Sequence, residues 1–250
     1  MSRGLNALGF LALIALWITT ADILHLSSPQ LLPGFFDVLR RLGVIVLNGS
    51  LLQDFLATIY RWFYGFTLGV GLGAGCGLVL GISPRLYKAV EFPIEFFRTL
   101  PVTAIFPLFL IIFGVGDASK IAMAFVPTFL LMLINAAYGM LHASKARITM
   151  ATVFGATRRQ IFWRVVVFEA LPQIFIGLRL ALSLSMIVTV VSEMFIGSDR
   201  GLGQRIYDSY LTSQTTTLYA VLIVLGVLGY ALNKIVMLAE QRFVFWSGRS

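Results

Sequence analysis

The sequence predicts an all-α integral membrane protein, a bundle of six transmembrane helices with a helix–Gly–helix loop on its cytosolic side. Three observations lead to this fold class. The 250-residue chain is 58% hydrophobic and only 12% charged, whereas soluble domains contain about 25% charged residues. The apolar residues fall into long windows with few or no charges, and one basic, amphipathic segment separates two of these windows. The length suits a single domain.

A helix needs about 20 mainly apolar residues to cross a bilayer. Six windows meet this requirement, at residues 5–24, 58–82, 99–116, 121–141, 173–195 and 211–235. The first window could also be read as a cleavable signal peptide, but its apolar run is long for one, so we expect a retained helix. In the fifth window Arg179 lies near one end, from where its long side chain can reach the lipid headgroups.

The distribution of Lys and Arg predicts the orientation of the bundle. If both termini are cytosolic, thirteen of the nineteen Lys and Arg residues lie on the cytosolic side. Cytosolic loops of membrane proteins carry an excess of these residues. The net charge of +8 therefore follows from the topology, and no nucleic-acid partner is needed to explain it.

The most informative segment is the cytosolic loop at residues 142–172. Gly155 is the natural residue just past a helix end, and Thr157 with Gln160 forms a capping box for a second helix. The second helix supplies apolar bulk at Phe162 and Trp163, and it supplies positive charge at Arg158, Arg159 and Arg164. A basic helix–Gly–helix segment of this kind is suited to binding a soluble partner.

The second predicted span contains five glycines at four-residue spacing, namely Gly65, Gly69, Gly73, Gly77 and Gly81. This spacing puts them on one helix face, which is typical of close helix packing in membranes. A phosphate-binding loop is the alternative, but no strand precedes the glycines and no Lys-Ser or Lys-Thr pair follows them. We therefore expect this face to pack against another helix.

Polar residues are rare in the predicted spans, and four of them are candidates for a solute pathway: Asn135, Ser185, Thr189 and Glu193. Ionisable residues inside membranes usually face protein or water, although Glu193 could simply lie among the headgroups. Metal-ligand and catalytic patterns are absent from the sequence. The two histidines are far apart, Cys76 is the only cysteine, and no nucleotide-binding Gly-Lys-Ser/Thr motif occurs.

These residues carry a family resemblance. The 142–172 segment resembles the coupling loop of permease subunits in type I ABC importers, whose pattern is Glu-Ala-Ala, three residues, Gly, nine residues, Ile-x-Leu-Pro. Ala151 and Gly155 match in register, while Thr149 stands where the Glu would be. Stretches at 98–108, 113–120, 155–164, 177–182, 192–194 and 201–203 are similar to the nitrate/sulfonate/taurine/bicarbonate branch, so the resemblance covers roughly residues 30 to 245.

The resemblance implies a permease subunit of an ATP-driven importer in the bacterial inner membrane, forming a pathway for a small oxyanion such as nitrate, bicarbonate or a sulfonate. It implies no cofactor on this chain, since ATP and Mg²⁺ bind the partner ATPase. The other implied partners are a periplasmic or lipid-anchored substrate-binding protein, a second permease copy and membrane lipid. Contact with the ATPase would come from Ala151, Gly155, Ala156, Arg158, Arg159, Phe162, Trp163 and Arg164.

Two other function classes compete with this interpretation. A stand-alone secondary transporter predicts inverted repeats and often carboxylates at the membrane midplane. No paired halves are visible in the sequence, and the second, third and fourth predicted spans contain no acid. A non-transporting membrane scaffold would use the basic loop only to recruit a partner. Neither alternative requires an ATPase, which separates both from the importer.

Overall fold

The computed structural model describes residues 2–246, with side chains from residue 8 onward, and within that range every regular element is helical. The α-helices are α1 Ser2–Trp17, α2 Phe35–Leu47, α3 Ser50–Leu80, α4 Pro84–Thr99, α5 Phe106–Phe113, α6 Asp117–Leu141, α7 Lys145–Val153, α8 Arg158–Ile161, α9 Val167–Ile196, α10 Leu202–Leu211 and α11 Thr215–Phe243. The prediction of an all-α chain is confirmed.

Among the described residues, four helical stretches are long and apolar enough to cross a membrane: Ser50–Leu80, Asp117–Leu141, Arg158–Ile196 and Thr215–Phe243. The bent pair of α4 with the following apolar segment gives a fifth if it counts as one span, and Leu8–Ile23 is a shorter apolar helix. The structure thus provides four to five spans, and six stays a prediction. The predicted location of both termini concerns Met1 and residues 247–250, which lie outside the described residues.

The predicted third span, residues 99–116, differs from the structure. Helix α4 ends at Thr99, Leu100 is extended with ψ of 129°, and a 3₁₀ turn at Val102–Ile105 leads into α5. The two halves meet at 87°. The physical reason is Pro101, because a proline pushes the preceding residue out of the helical region.

The boundary predicted at residue 172 is also different. From Arg158 the helix continues through a π-helical turn at Phe162–Val166 and through Pro172 to Ile196. The second helix of the 142–172 loop is therefore the beginning of the fifth predicted span. A proline removes one helical hydrogen bond, but it need not end a membrane helix where neighbouring groups satisfy the backbone.

Helix α10 was missed by the sequence analysis.

The described chain divides into two compact units, and the first comprises the residues up to Thr58 with Ser198–Leu228. In this unit the N-terminus of α10 is fixed by side chains of α3. Asp54 accepts a hydrogen bond of 3.1 Å from the Gly201 N–H and also pairs with Arg205, while the Thr58 hydroxyl accepts one of 2.8 Å from the Leu202 N–H. These bonds satisfy backbone donors that a helix start leaves unpaired.

The second unit, Ile59–Gly197 with Gly229–Ser250, is organised around α6. All five glycines of the four-residue series face this helix, and a Cβ atom added to any of them would lie within 3 Å of an α6 atom. At Gly73 the nearest atom is the Phe129 carbonyl oxygen, at 2.5 Å. On another face of α6, Gly139 meets Ala170 and Gly177 meets Asn135, so α9 also approaches closely.

We predict that Gly73→Ala destabilises the protein by about 1–3 kcal/mol, because overpacking a close helix contact forces the backbones apart. The matched control is Gly71→Ala in the same helix, where an added Cβ meets nothing within 4 Å. Thermal unfolding of the detergent-purified variants measures the difference. Equal stability of the two variants would show that α3 and α6 do not depend on this contact.

Candidate functional site

The turn between α7 and α8 depends on Gly155. Its φ is +80°, a conformation that costs residues with a Cβ about 1–2 kcal/mol. The turn closes the end of α7, because the Gly155 N–H donates to the Thr152 carbonyl at 2.9 Å and the Ala156 N–H donates to the Ala151 carbonyl at 3.0 Å. The glycine therefore lets the chain turn away from α7 without leaving these carbonyls unpaired.

A capping box starts the helix that follows this turn. The Thr157 N–H donates to Gln160 Oε1 at 2.8 Å, and the Gln160 N–H donates to Thr157 Oγ1 at 3.3 Å. Two backbone donors at the helix start are satisfied reciprocally. Residues 145–161 thus form the helix–Gly–helix arrangement expected from the sequence.

The side chains of the helix–Gly–helix segment differ in their exposure. Arg158, Arg159, Trp163 and Arg164 are exposed, whereas Ala151, Ala156 and Phe162 are partly covered. The two most exposed large apolar side chains of the segment are Phe154, at 84%, and Val153, at 81%. Sequence analysis missed both, although an apolar pair directly before a helix-ending glycine was a usable signal. The apolar tip of the segment lies at the end of α7.

An ion pair ties α7 to α9. Arg147 Nε lies 2.8 Å from Glu169 Oε1, and the other carboxylate oxygen accepts a hydrogen bond from the Ser144 N–H. Glu169 is largely buried, while Arg147 is exposed. This pair fixes the start of α7 against the helix that continues from α8.

The four pathway candidates are all buried within the second unit. Asn135 accepts a hydrogen bond of 2.8 Å from Gln173 and donates to the Leu131 carbonyl. Ser185 accepts one of 2.9 Å from the Trp62 indole, and Thr189 donates to the Ser185 carbonyl. These polar side chains therefore make contacts between or within α3, α6 and α9.

Glu193 is 0% exposed and forms an ion pair with Arg61, whose Nη1 lies 2.6 Å from Glu193 Oε1. Arg61 Nε also donates to Asp117 at 2.7 Å, so the guanidinium joins α3, α6 and α9. Lys120 is buried in the same region and donates to the Gly116 carbonyl. The sequence analysis did not identify this role of Arg61, although a cation inside the window 58–82 was a signal for a buried partner.

Arg179 also has a defined partner. It forms an ion pair with Glu240 of α11, and Glu240 is buried. The sequence analysis expected Arg179 to reach the headgroups and did not identify Glu240 as its partner. The pair joins α9 to α11 within the second unit.

Residues 68–245 match the family described as the binding-protein-dependent transport system inner membrane component. The chain belongs to this family. Among its relatives, a probable ABC transporter permease protein of Brucella abortus is 32% identical over 99% of this chain and 97% of its own. The putative aliphatic sulfonates transport permease protein SsuC of Bacillus subtilis is 31% identical over 94% of this chain and 84% of its own. The taurine transport system permease protein TauC of Escherichia coli is 30% identical over 97% of this chain and 90% of its own.

A solved structure of the MetNI methionine ABC transporter in an inward-facing conformation has the same fold. Its TM-score is 0.67 at 22% identity, and the match covers 81% of this chain and 98% of that chain. The family match and the relatives named above make the chain a permease component. Such components are the membrane subunits of ABC importers, and ATP hydrolysis belongs to separate ATPase subunits.

We expect Glu193→Ala to destabilise the permease by about 3–5 kcal/mol, because it leaves the buried Arg61 guanidinium without one of its carboxylates. The control is Glu95→Ala, which breaks the exposed Glu95–Arg98 pair of 2.6 Å and should cost about 0–1 kcal/mol. Both values come from unfolding of the purified proteins. Similar losses in the two variants would contradict a structural role for the buried pair.

Proposed function

We propose that this permease carries a small oxyanion across the bacterial inner membrane and couples to a cytosolic ATPase through residues 142–172. The observation that carries the proposal is the helix–Gly155–helix segment at the start of an uninterrupted 39-residue helix, Arg158–Ile196. A basic segment with an exposed apolar tip, mounted on a helix that enters the membrane, is suited to receiving force from a soluble subunit.

The length of this helix supports a segment that stands clear of the lipid. At 1.5 Å per residue, 39 residues extend over about 58 Å. A bilayer with its headgroups is about 40–45 Å thick. If Ile196 lies near one surface, the α7–α8 end projects about 13–18 Å beyond the other. Phe154 and Val153 would then face the cytosol rather than lipid.

Coupling follows from this placement. Two ATPase subunits that close on ATP and Mg²⁺ would draw together the loops of two permease copies, and each loop would displace the helix that continues from it. Ala151, Gly155 and Ala156 would shape the turn. Phe162 and Trp163 would contribute apolar contact, and Arg158, Arg159 and Arg164 would face acidic groups. A homodimer is expected because one bundle would provide half of a pathway.

The proposed substrate class rests on relatives. The relatives include the aliphatic sulfonate and taurine proteins described above and a nitrate import permease protein, NrtB, of Synechocystis, 27% identical over 92% of this chain. Sulfonates and nitrate share a compact, delocalised negative charge. A substrate-binding protein, periplasmic or lipid-anchored, would deliver such a solute to the outer face.

The full topology is part of the proposal. Six spans would arise if Leu8–Ile23 and the bent α4–α5 segment both cross the bilayer along with the four long helices. Both termini and residues 142–172 would then be cytosolic, as the excess of Lys and Arg favours. Lipid would contact the outward faces of the spans.

Reconstitution tests the proposed function. Liposomes containing the permease, its ATPase and its binding protein should take up sulfonate, taurine or nitrate only with ATP. Gly155→Asp should insert normally but weaken ATPase association, because a Cβ at φ of +80° is strained by about 1–2 kcal/mol. Gly43→Asp, on the exposed side of α2, is the control. Uptake by the permease alone down a proton gradient would establish the secondary transporter instead.

Cysteine labelling tests the orientation. In a Cys76→Ser background, Ser213→Cys should react with a membrane-impermeant thiol reagent added outside intact cells, and Ser144→Cys should react only after the membrane is opened. The native Cys76 is removed because it is exposed. Labelling of Ser144→Cys in sealed cells would place the 142–172 segment outside and overturn the proposed topology.

A further inference from the structure

The 142–172 segment contains a groove as well as an exposed tip. A cavity of about 400 Å³, the tail groove, lies between α7 and the helix that starts at Arg158. Its walls include Arg147, Met150, Phe154, Arg164, Phe168 and Trp246. The last of these residues follows α11 in the sequence and was not expected at this site. The volume falls within the range of about 300–1,000 Å³ that is typical of ligand pockets.

The chain after α11 continues the last helical turn and then meets the groove. Val244 is buried, and its N–H donates to the Glu240 carbonyl at 2.8 Å. The Trp246 ring packs on Phe168, with ring centroids 5.5 Å apart. Between them Phe245 is 80% exposed and does not line the groove. One aromatic side chain of the tail therefore forms a wall of the groove while its neighbour points away.

The charge of the groove favours an acidic occupant. Arg147 is paired with Glu169, the single acid in the lining, so these two charges cancel, and Arg164 leaves the lining with one net positive charge. Apolar side chains from Met150, Phe154, Phe168 and Trp246 supply the remaining surface. A partner segment that offers a carboxylate beside an aromatic or aliphatic side chain would complement both features.

Other occupants fit less well. Lipid headgroups would contact only the inner end of the groove. If the helix projects about 13–18 Å, as its 39 residues and the membrane thickness imply, Phe168, about 15 Å along the helix from Arg158, lies near the membrane surface, whereas Arg164 and Phe154 lie beyond it. A second copy of the same loop would bring the same excess of Arg, and like charges across an interface cost several kcal/mol. The remaining occupant is a soluble protein with an acidic surface.

We infer that the tail groove receives an acidic, apolar-anchored segment of the ATPase, and that Trp246 is part of the docking site. The inference rests on the proposed function, because it assumes that residues 142–172 meet the ATPase. It adds a second contact mode: the permease inserts its Phe154 tip into the partner and accepts a partner side chain between α7 and the tail.

The test measures binding of the purified ATPase to the full-length permease in nanodiscs. Trp246→Ala should weaken binding tenfold or more, and Trp246→Phe should stay within a few-fold of wild type, because a ring is retained. Phe245→Ala, the adjacent aromatic outside the groove, should bind as wild type. Binding by Trp246→Ala equal to wild type, or an equal loss in Phe245→Ala, would overturn the inference.

A second variant keeps the test decisive if Trp246→Ala does not fold. Met150→Trp fills the groove from the α7 side and leaves the tail in place, so it should also weaken binding at least tenfold. Unchanged affinity of Met150→Trp would contradict an occupied groove. Failure of the wild-type permease to bind the ATPase at all would instead overturn the proposed function, which separates the two conclusions.

Discussion

The close approach of α3, α6 and α9 is the constraint on which the second unit depends. Helix α3 can lie against α6 only because five consecutive positions at four-residue spacing lack a Cβ atom. Lipid chains are as apolar as the helix surfaces, so burial alone does not draw helices together in a membrane. Backbone contact through glycine provides van der Waals packing, which holds the helices together in place of apolar burial. Gly139 and Gly177 do the same between α6 and α9.

Close packing in turn makes the buried polar contacts possible. Trp62 reaches Ser185, and Arg61 reaches both Asp117 and Glu193, because the three helices are held at short range. A charge far from water is tolerated only when it is paired. The pairing of Arg61 therefore fixes the register of the helices at one end, and Glu169 with Arg147 fixes α7 at the other.

Local patterns in the sequence were sufficient for some features and not for others. Hydropathy located the long helices, the four-residue spacing identified the glycine face of α3, and Thr157 with Gln160 indicated the capping box that the structure contains. The pairing of Arg61 with Glu193 spans 132 residues, so no local pattern reports it. The continuation of the helix through Pro172 was missed because proline signals a boundary locally, whereas surrounding helices can satisfy the freed backbone groups.

The same continuity connects the proposed coupling segment to the buried ion pairs. One helix runs from Arg158, beside the Gly155 turn, to Glu193 in the buried ion-pair network. This helix continues through the π-helical turn at Phe162–Val166 and through Pro172, so one helical segment joins its two ends. A force applied at the α7–α8 turn would therefore reach the Arg61–Glu193 contact through the helix itself, without a separate relay. Because that contact joins three helices, a shift of α9 would require Arg61 to move with it or to exchange partners.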